Sequence, residues 1–368
     1  MPIHPPALQH LFEQVRSAIE LKTPLNICGG NTLAFYGNAP HGEVLDIRPL
    51  SGITSLEPTE LVVTARAGTL LSELEAALAA HGQCLAFEPP RLGAQATVGG
   101  MVAAGLSGPA RASVGAVRDY VLGATILNGR AELLTFGGQV IKNVAGYDVS
   151  RLMVGALGVL GVLCEVSLKV LPILQATQTI VFDCDEAQAL QQLAHWRGQP
   201  VPINASAWLR GRLYARLSGA VPVVVATAQT LARTLGARHL DPAEADLWWN
   251  SLRDQTHAFF QCPEATLAQG LNLWRLSLPP TATPLAWPGE QLIEWGGAQR
   301  WWRTTLPATN VRAAAQQLGG HATRYRSADT SLTAFSPLST PLLRIHQGLK
   351  TAFDPAGIFN PGRLYADL

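Results

Sequence analysis

Few residues in this sequence carry types and spacings that could do chemistry. The five cysteines, Cys28, Cys84, Cys164, Cys184 and Cys262, are scattered, and no two form a C-x-x-C pair. That excludes a local iron–sulfur cluster or zinc knuckle, and an odd count of isolated thiols argues against a disulfide scaffold and for a reducing compartment. His321 in GGHATRYR and His346 in LRIHQG each stand alone. A histidine needs a positioned partner to act as a base, so both are expected to be structural, and no metal site is expected. Arg275, Arg300 and Arg303 could hold a carboxylate by paired hydrogen bonds, but arginines beside tryptophans more commonly serve as surface or interface charge.

Glycine is where the sequence is unusual. Three clusters fall in the first half: NICGGNT (26–32), RLGAQATVGGMVAAGLSG (91–108) and GGQVIKNVAGYDVSRLMVGALGVLGVL (137–163), the last with a Gly-x-x-Gly-x-x-Gly ladder at Gly155, Gly158 and Gly161. Glycine permits positive φ and lets another backbone or a ligand approach closely. Successive N–H groups at such turns make an anion-binding nest. The ordinary reading of any one glycine is a turn. Three clusters without acid–base chemistry fit a large phosphorylated cofactor lying along the backbone. Thr32, Thr97, Arg118, Asp119, Tyr147, Asp148 and Arg151 recur within or beside them.

The elements that must position these loops are an α+β set. Residues 7–20 have helical spacing, PLNICGG is a short strand running into a turn, and LVVTARAG is a strand that passes into the helix TLLSELEAALAAHG. Thr69 and Glu73 are assigned to capping that helix, and Asp148 suits a cap for a helix starting near Val149. YVLGATILNGRAELLTFGG reads as a hairpin with Asn128-Gly129 as its tight turn. No G-x-G-x-x-G follows a strand, so a Rossmann fold has little support. From about 174 the texture changes to an antiparallel α+β pattern: a strand TIVFDC, a helix capped by Asp185, the hairpin SAWLRGRLYARLSG, strands LNLWRLSLPP and LIEWGGAQRWW, and the helix TNVRAAAQQLGG. The tail STPLLRIHQGLKTAFDPAGIFNPGRLY is a helix ending at Asp354-Pro355, then a turn at NPG. The expected domains are 1–173, 174–330 and a C-terminal segment 331–368.

Bulk numbers agree with this division. A chain of 368 residues exceeds one ordinary core, and 48% hydrophobic with 14% charged residues leaves little room for disorder. A net charge of +1 argues against a nucleic-acid partner. The N-terminal stretch lacks the apolar core of a secretory signal, and the longest apolar run, Leu152 to Cys164, is too short to span a bilayer. The expected location is cytoplasmic, with attachment to the inner face of the cell membrane through partners left open.

In order, ICGGNT, EPPRLGAQATVGGMVAAGLSG, GAVRDYVLGATILNGRAELLTFGG and GYDVSRLMVGALGVLGV resemble the FAD-binding domain of the vanillyl-alcohol oxidase and p-cresol methylhydroxylase family. The tail LKTAFDPAGIFNPGRL resembles its C-terminal signature, and LWRLSLP and EWGGAQRWW narrow the likeness to the FAD-binding subunits of bacterial glycolate oxidases. The resemblance implies an α+β fold, a two-part FAD-binding domain with an antiparallel α+β cap. It implies that Cys28, Gly29, Gly30, Asn31 and Thr32 wrap the pyrophosphate. Pro90, Gly93, Ala96, Thr97, Val98, Gly99 and Gly100 would line the flavin and ribityl chain, with Ser107 and Gly108 closing that cluster. Arg118 and Asp119 stand at the family's RD before a strand, and Tyr147 and Asp148 are candidate polar neighbours of the flavin. Gly155, Gly158, Gly161 and Val162 would close on the adenine half, and Asn360 and Gly362 would bring the tail back to the FAD domain.

Departures from the family shape the expected function. GGNTLAF lacks the histidine that bonds covalently to flavin in many members, so FAD is expected to be non-covalent. No G-H-x-G-D-G-N-x-H motif occurs, which places substrate oxidation on a sister FAD-linked subunit, with an iron–sulfur subunit carrying electrons onward. The expectation is an FAD-binding redox subunit of a complex oxidising glycolate to the keto acid, with D-lactate as a second candidate substrate, in a relay or assembly role. The alternatives are a self-sufficient FAD-dependent 2-hydroxy-acid dehydrogenase and a non-redox assembly subunit with a Trp-rich contact surface.

Overall fold

The computed structural model describes residues 5–138 and 147–368. Residues 139–146, including the Asn143–Gly146 part of the third glycine cluster, lie outside them. The chain divides into two compact units, one from Met1–Leu106, Ala116–Pro172 and Thr333–Leu368, the other from Ser107–Gly115 and Ile173–Leu332.

In the first unit, β1 (Leu25–Cys28) and β2 (Glu43–Asp46) form a parallel pair. The tail joins it: Leu25 bridges Phe359 in parallel, the Leu25 N–H donates to the Ile358 carbonyl at 2.7 Å, and the Asn360 N–H donates to the Leu25 carbonyl at 2.9 Å. A separate antiparallel sheet contains β3 (Ile53–Glu57), β4 (Val62–Arg66), the pair β6 (Val121–Leu127) and β7 (Leu133–Gly137), and β8 (Val162–Lys169), in the order β3-β4-β8-β6-β7. The two-residue strands β5 (Gln83–Cys84) and β9 (Leu171–Pro172) pair with each other. β8 is central and buried on both faces, which explains why VLCEVSLK reads as nearly continuous apolar sequence. The buried hydroxyls of Thr64 and Ser167, 2.9 Å apart, satisfy one another across β4 and β8.

Several local expectations need correction here. Thr69 does not cap its helix. Leu70 is the N-cap residue of Leu71–Ala79, while the buried Thr69 hydroxyl bonds the Gly52 backbone at both N–H (2.9 Å) and carbonyl (3.2 Å). The β6–β7 connection is a five-residue loop, not an Asn-Gly turn; the Asn128 side chain accepts from the Arg130 and Glu132 N–H groups, each at 2.9 Å, which widens it. The second glycine cluster contains a helix, Val98–Ala104. Thr97 caps it by accepting from the Gly100 N–H at 3.2 Å.

The second unit is an eight-stranded antiparallel sheet. Its strands are β10 (Ala176–Asp183), β11 (Ile203–Leu209), β12 (Arg212–Gly219), β13 (Arg238–His239), β14 (Asn272–Ser277), β15 (Glu290–Glu294), β16 (Gln299–Thr304) and β17 (His321–Arg326), in the order β13-β10-β12-β11-β15-β16-β14-β17. LIEWGGAQRWW, expected as one strand, is two: Gly296 at φ +63° and Gly297 at φ +98° make the turn between β15 and β16. One face of the sheet carries Ile180, Leu213, Leu217, Trp274, Leu276 and Trp302, buried with residues of the helices Glu186–Arg197, Val221–Leu235 and Ala308–Gln317. Asp185 caps the first of these in a capping box with Gln188, as expected from sequence.

Candidate functional site

Glycine positions bring the loops of the first unit together. A Cβ on Gly30 would stand 1.5 Å from the Gln95 carbonyl oxygen, and one on Gly29 would stand 2.5 Å from the Thr97 hydroxyl. The first and second clusters therefore pack against each other with no room for side chains. A Cβ on Gly158, whose φ is +75°, would stand 2.7 Å from the Asn360 amide nitrogen. This pulls the ladder and the tail toward β1.

Asn360 closes that junction. Its Oδ1 accepts from the Ile27 N–H at 2.7 Å and its Nδ2 donates to the Leu157 carbonyl at 2.6 Å. Arg363, three residues on and buried, donates to the carbonyls of Leu33 (3.2 Å), Ala34 (2.8 Å) and Asn38. Beneath them Lys350 Nζ donates to Val159 O (2.9 Å), Phe359 O (2.7 Å) and Asp354 Oδ2 (2.8 Å). Burial pushes the Lys350 ammonium below its ordinary range, against the pull of Asp354 in the other direction. The Asp354 carboxylate also accepts from the N–H groups of Ile358 and Phe359, so no lone charge is buried.

The result is a cleft leaving about 1040 Å³ free of protein atoms, open solvent at its mouth included. Of the residues expected from sequence, Cys28, Gly29, Gly30, Asn31, Thr32, Pro90, Ala96, Thr97, Gly99, Gly100, Gly158, Gly161 and Asn360 line it. Gly93, Val98, Gly155 and Val162 belong to the same loops but are not on the lining. Gly155 instead donates to the Val102 carbonyl at 3.0 Å, and Val98 and Val162 are fully buried. Ser107 and Gly108 fall in the segment that belongs to the second unit, where the Gly108 carbonyl accepts from the Trp295 indole at 3.0 Å. Arg118 and Asp119 sit on a short 3-10 turn with exposed side chains, and Asp119 accepts from the Ala116 N–H at 2.8 Å. Tyr147 is 97% exposed. Asp148 caps Val149–Leu152 by accepting from the Arg151 N–H at 3.1 Å.

Arg363 was not singled out from sequence, nor were the apolar lining residues Met101, Met153 and Leu160. Its only signal is its place directly after the NPG turn.

The lining fits a dinucleotide. Among the described residues, the backbone N–H groups of Gly30, Asn31 and Thr32 donate to no protein atom, and Asn31 holds φ +57°. Consecutive N–H groups left free beside a left-handed residue form the kind of concavity that takes a phosphate. The rest of the wall is mostly apolar, as a planar ring system requires. Cys28 and Arg363 are the ionisable residues of the described lining, and it holds no histidine or carboxylate. Burial, then the Asp46 carboxylate, pushes the Cys28 thiol up, so it stays protonated.

Of the three arginines expected from sequence, Arg300 is held apart from Arg275, and Arg303 is paired elsewhere. In the β14–β16 register Arg275 pairs with Trp301 and Leu276 with Arg300, so Arg275 and Arg300 point to opposite faces. Arg300 is fully buried, its guanidinium donating to the carbonyls of Ala282 and Thr283, and Arg303 pairs with Glu290 at 3.3 Å. His321 starts β17 opposite Ser277, and His346 Nδ1 lies 2.8 Å from the Leu342 carbonyl. Among the described residues no cluster of three or more potential metal ligands occurs.

A two-part α+β scaffold with this cleft and a large antiparallel second unit is the FAD-binding fold of the vanillyl-alcohol oxidase type. A model of the FAD binding domain matches residues 3–137. Alkyldihydroxyacetonephosphate synthase shares the fold, with a TM-score of 0.67 over 96% of this chain and 74% of that one at 15% identity. The glycolate oxidase subunit GlcE of Escherichia coli (strain K12) is 47% identical over 360 residues, 98% of each chain. Glycolate oxidase subunit GlcD of Bacillus subtilis (strain 168) is 30% identical over 158 residues, 42% of this chain and 32% of that protein. A D-lactate dehydrogenase of Archaeoglobus fulgidus is 32% identical over 161 residues, 43% of this chain and 35% of that one. The chain belongs to the GlcE family of glycolate oxidase subunits, flavoprotein oxidoreductases whose cofactor is FAD.

Proposed function

We propose that this chain is the FAD-binding subunit of a complex that oxidises glycolate to the 2-keto acid, with D-lactate as a second candidate substrate. The observation that carries the reading is the end-to-end 47% identity to a glycolate oxidase subunit. Bound FAD supplies the capacity to accept a hydride or electrons. The chain's own residues bind and enclose it. In this reading the free N–H groups of Gly30, Asn31 and Thr32 take the pyrophosphate, Pro90, Ala96 and Thr97 flank the flavin and ribityl chain, and Gly158, Gly161 and Asn360 close the adenine half. Gly93, Val98, Gly155 and Val162 support these loops from outside the lining.

FAD is held without a covalent bond, a reading supported by a described lining that lacks histidine and by a Cys28 thiol kept protonated. The same lining lacks a group able to take a proton from a hydroxy acid at neutral pH. Substrate chemistry then falls to a GlcD-like FAD-linked partner, onward electron transfer to an iron–sulfur partner, and this subunit serves as a relay or assembly component. No described helix is long and apolar enough to cross a membrane. Placement on the cytoplasmic face of the membrane would come through those partners.

The test is the purified chain, alone and co-expressed with its partners, denatured after its visible spectrum is recorded. Free FAD in the supernatant is expected. Flavin that stays with the polypeptide would overturn the non-covalent reading. Glycolate turnover by the chain alone with an artificial acceptor would overturn the division of labour.

A further inference from the structure

On the face of the second unit's sheet opposite Trp274, Leu276 and Trp302, the Arg275 guanidinium is held ready for an anion. Arg275 Nε donates to Gln299 Oε1 at 2.7 Å. Gln299 is itself buried and oriented: its Nε2 donates to Glu294 Oε2 at 3.1 Å, and the same carboxylate oxygen accepts from the Trp301 indole at 2.6 Å. The Arg275 guanidinium carbon lies 5.3 Å from the Trp295 ring centroid and 6.0 Å from that of Trp301. Both indoles are buried and pinned at their nitrogens, Trp301 by Glu294 and Trp295 by the Gly108 carbonyl. Arg111 places a second guanidinium carbon 4.4 Å from the Trp295 ring.

Arg275 is therefore fixed at Nε and flanked by two indoles, while its two terminal nitrogens donate to no protein atom among the described residues. That pair of parallel donors matches the two oxygens of a carboxylate. The indole walls lower the local dielectric, which strengthens such a contact, and Arg111 adds positive charge.

We propose that Arg275, Trp295 and Trp301 form a binding site for a small carboxylate, the acid group of the 2-hydroxy acid or its keto product. Gln299 acts as a positioning residue. The proposed function enters only through the choice of this ligand class. The site makes the second unit a place where the complex's substrate or product is held on this chain.

The experiment is calorimetric titration of the full FAD-loaded chain with sodium glycolate at low salt, beside Arg275→Gln and Arg275→Lys variants, with ethane-1,2-diol and sodium chloride as controls. Wild type is expected to bind glycolate and neither control. Arg275→Gln should weaken binding by about tenfold or more, because a charged fork is lost. Arg275→Lys should also weaken it, since a point charge cannot replace a bidentate donor. Melting temperature and flavin absorption should match wild type in both variants. Absence of glycolate binding to wild type, equal affinity in Arg275→Lys, or equally tight binding of chloride would overturn the site. If Arg275→Gln fails to fold, Arg275→Lys alone decides. Flavin content is read from absorption of the same samples, so loss of the cofactor reading and loss of this site are separate outcomes.

Discussion

Asn360 ties β1 to the glycine ladder with a single side chain, accepting from the Ile27 N–H at 2.7 Å and donating to the Leu157 carbonyl at 2.6 Å. It does so from a left-handed conformation, φ +40°, that asparagine tolerates better than other side-chain-bearing residues. Asn360→Ala strands both backbone groups, at about 1–3 kcal/mol for each one left unpaired. The expected outcome is a lower melting temperature and substoichiometric FAD. An unchanged FAD content with wild-type stability would mean that the tail does not hold the cleft together.

The glycines separate into two kinds, and substitution should tell them apart. Gly30→Ala puts a Cβ 1.5 Å from the Gln95 carbonyl oxygen, so the first two loops must part. Gly155→Ala meets nothing within 4 Å and costs only its φ of +79°, about 1–2 kcal/mol for a left-handed residue. Gly30→Ala is expected to be purified without FAD, and Gly155→Ala to retain it with a modest fall in melting temperature. Equal FAD loss in the two variants would show that conformational freedom, not close approach, governs both positions.

This contrast also marks what was legible in the sequence. The glycine clusters pointed to a dinucleotide cleft, with turns and close packing as their ordinary alternative, but not to which loop packs against which. The helix at Asp185 was legible because its capping box is local, within four residues. The helix Val98–Ala104 was not, because Gly99 and Gly100 in its first turn argue against a helix, and distant carbonyls hold that turn: Thr69 O takes the Val98 N–H at 2.9 Å and Ala67 O the Gly99 N–H at 2.8 Å. Arg363 stayed hidden for a similar reason: its Asn38 partner lies 325 residues away. The opposed faces of Arg275 and Arg300 follow from strand register, which exists only once β14 and β16 are paired.

Thiol chemistry offers a readout of the cleft that needs no turnover. Cys164 is buried in β8 and burial pushes its thiol up to about 12; Cys184 is pushed up to about 11 by burial and the Asp185 charge. Neither is expected to react with iodoacetamide at neutral pH in the folded protein, because thiolate is the nucleophile. Cys28 lines the cleft and is half-buried. Its alkylation, followed by peptide mass spectrometry, is expected to be slow with FAD present and faster once FAD is stripped. Equal rates in both states would place the cofactor away from the first glycine loop.

His257 gives the fold a predictable response to acid. Its Nδ1 accepts from the Phe259 N–H at 3.1 Å, capping a 3-10 turn, and its ring meets Trp248 edge-on at 5.2 Å between centroids. Burial, and then the Arg210 charge, lower its pKa below the ordinary value of 6.5, against a smaller opposing pull from Glu290. His321 is lowered as well, by burial and then by Arg275. The unfolded chain therefore binds these protons more readily than the folded one, and stability rises with pH across that interval. The contribution of the neutral rings is complete above about pH 6.5 and is lost as the pH falls through the folded-state values. In melting curves taken from pH 7.5 down to pH 5, wild type should lose stability faster than His257→Asn. Asparagine can still accept at the cap position and does not titrate, and the slope that remains in the variant belongs in part to His321. Parallel curves for the two proteins would show that His257 is free to protonate in the fold, and that its turn does not depend on Nδ1 as an acceptor.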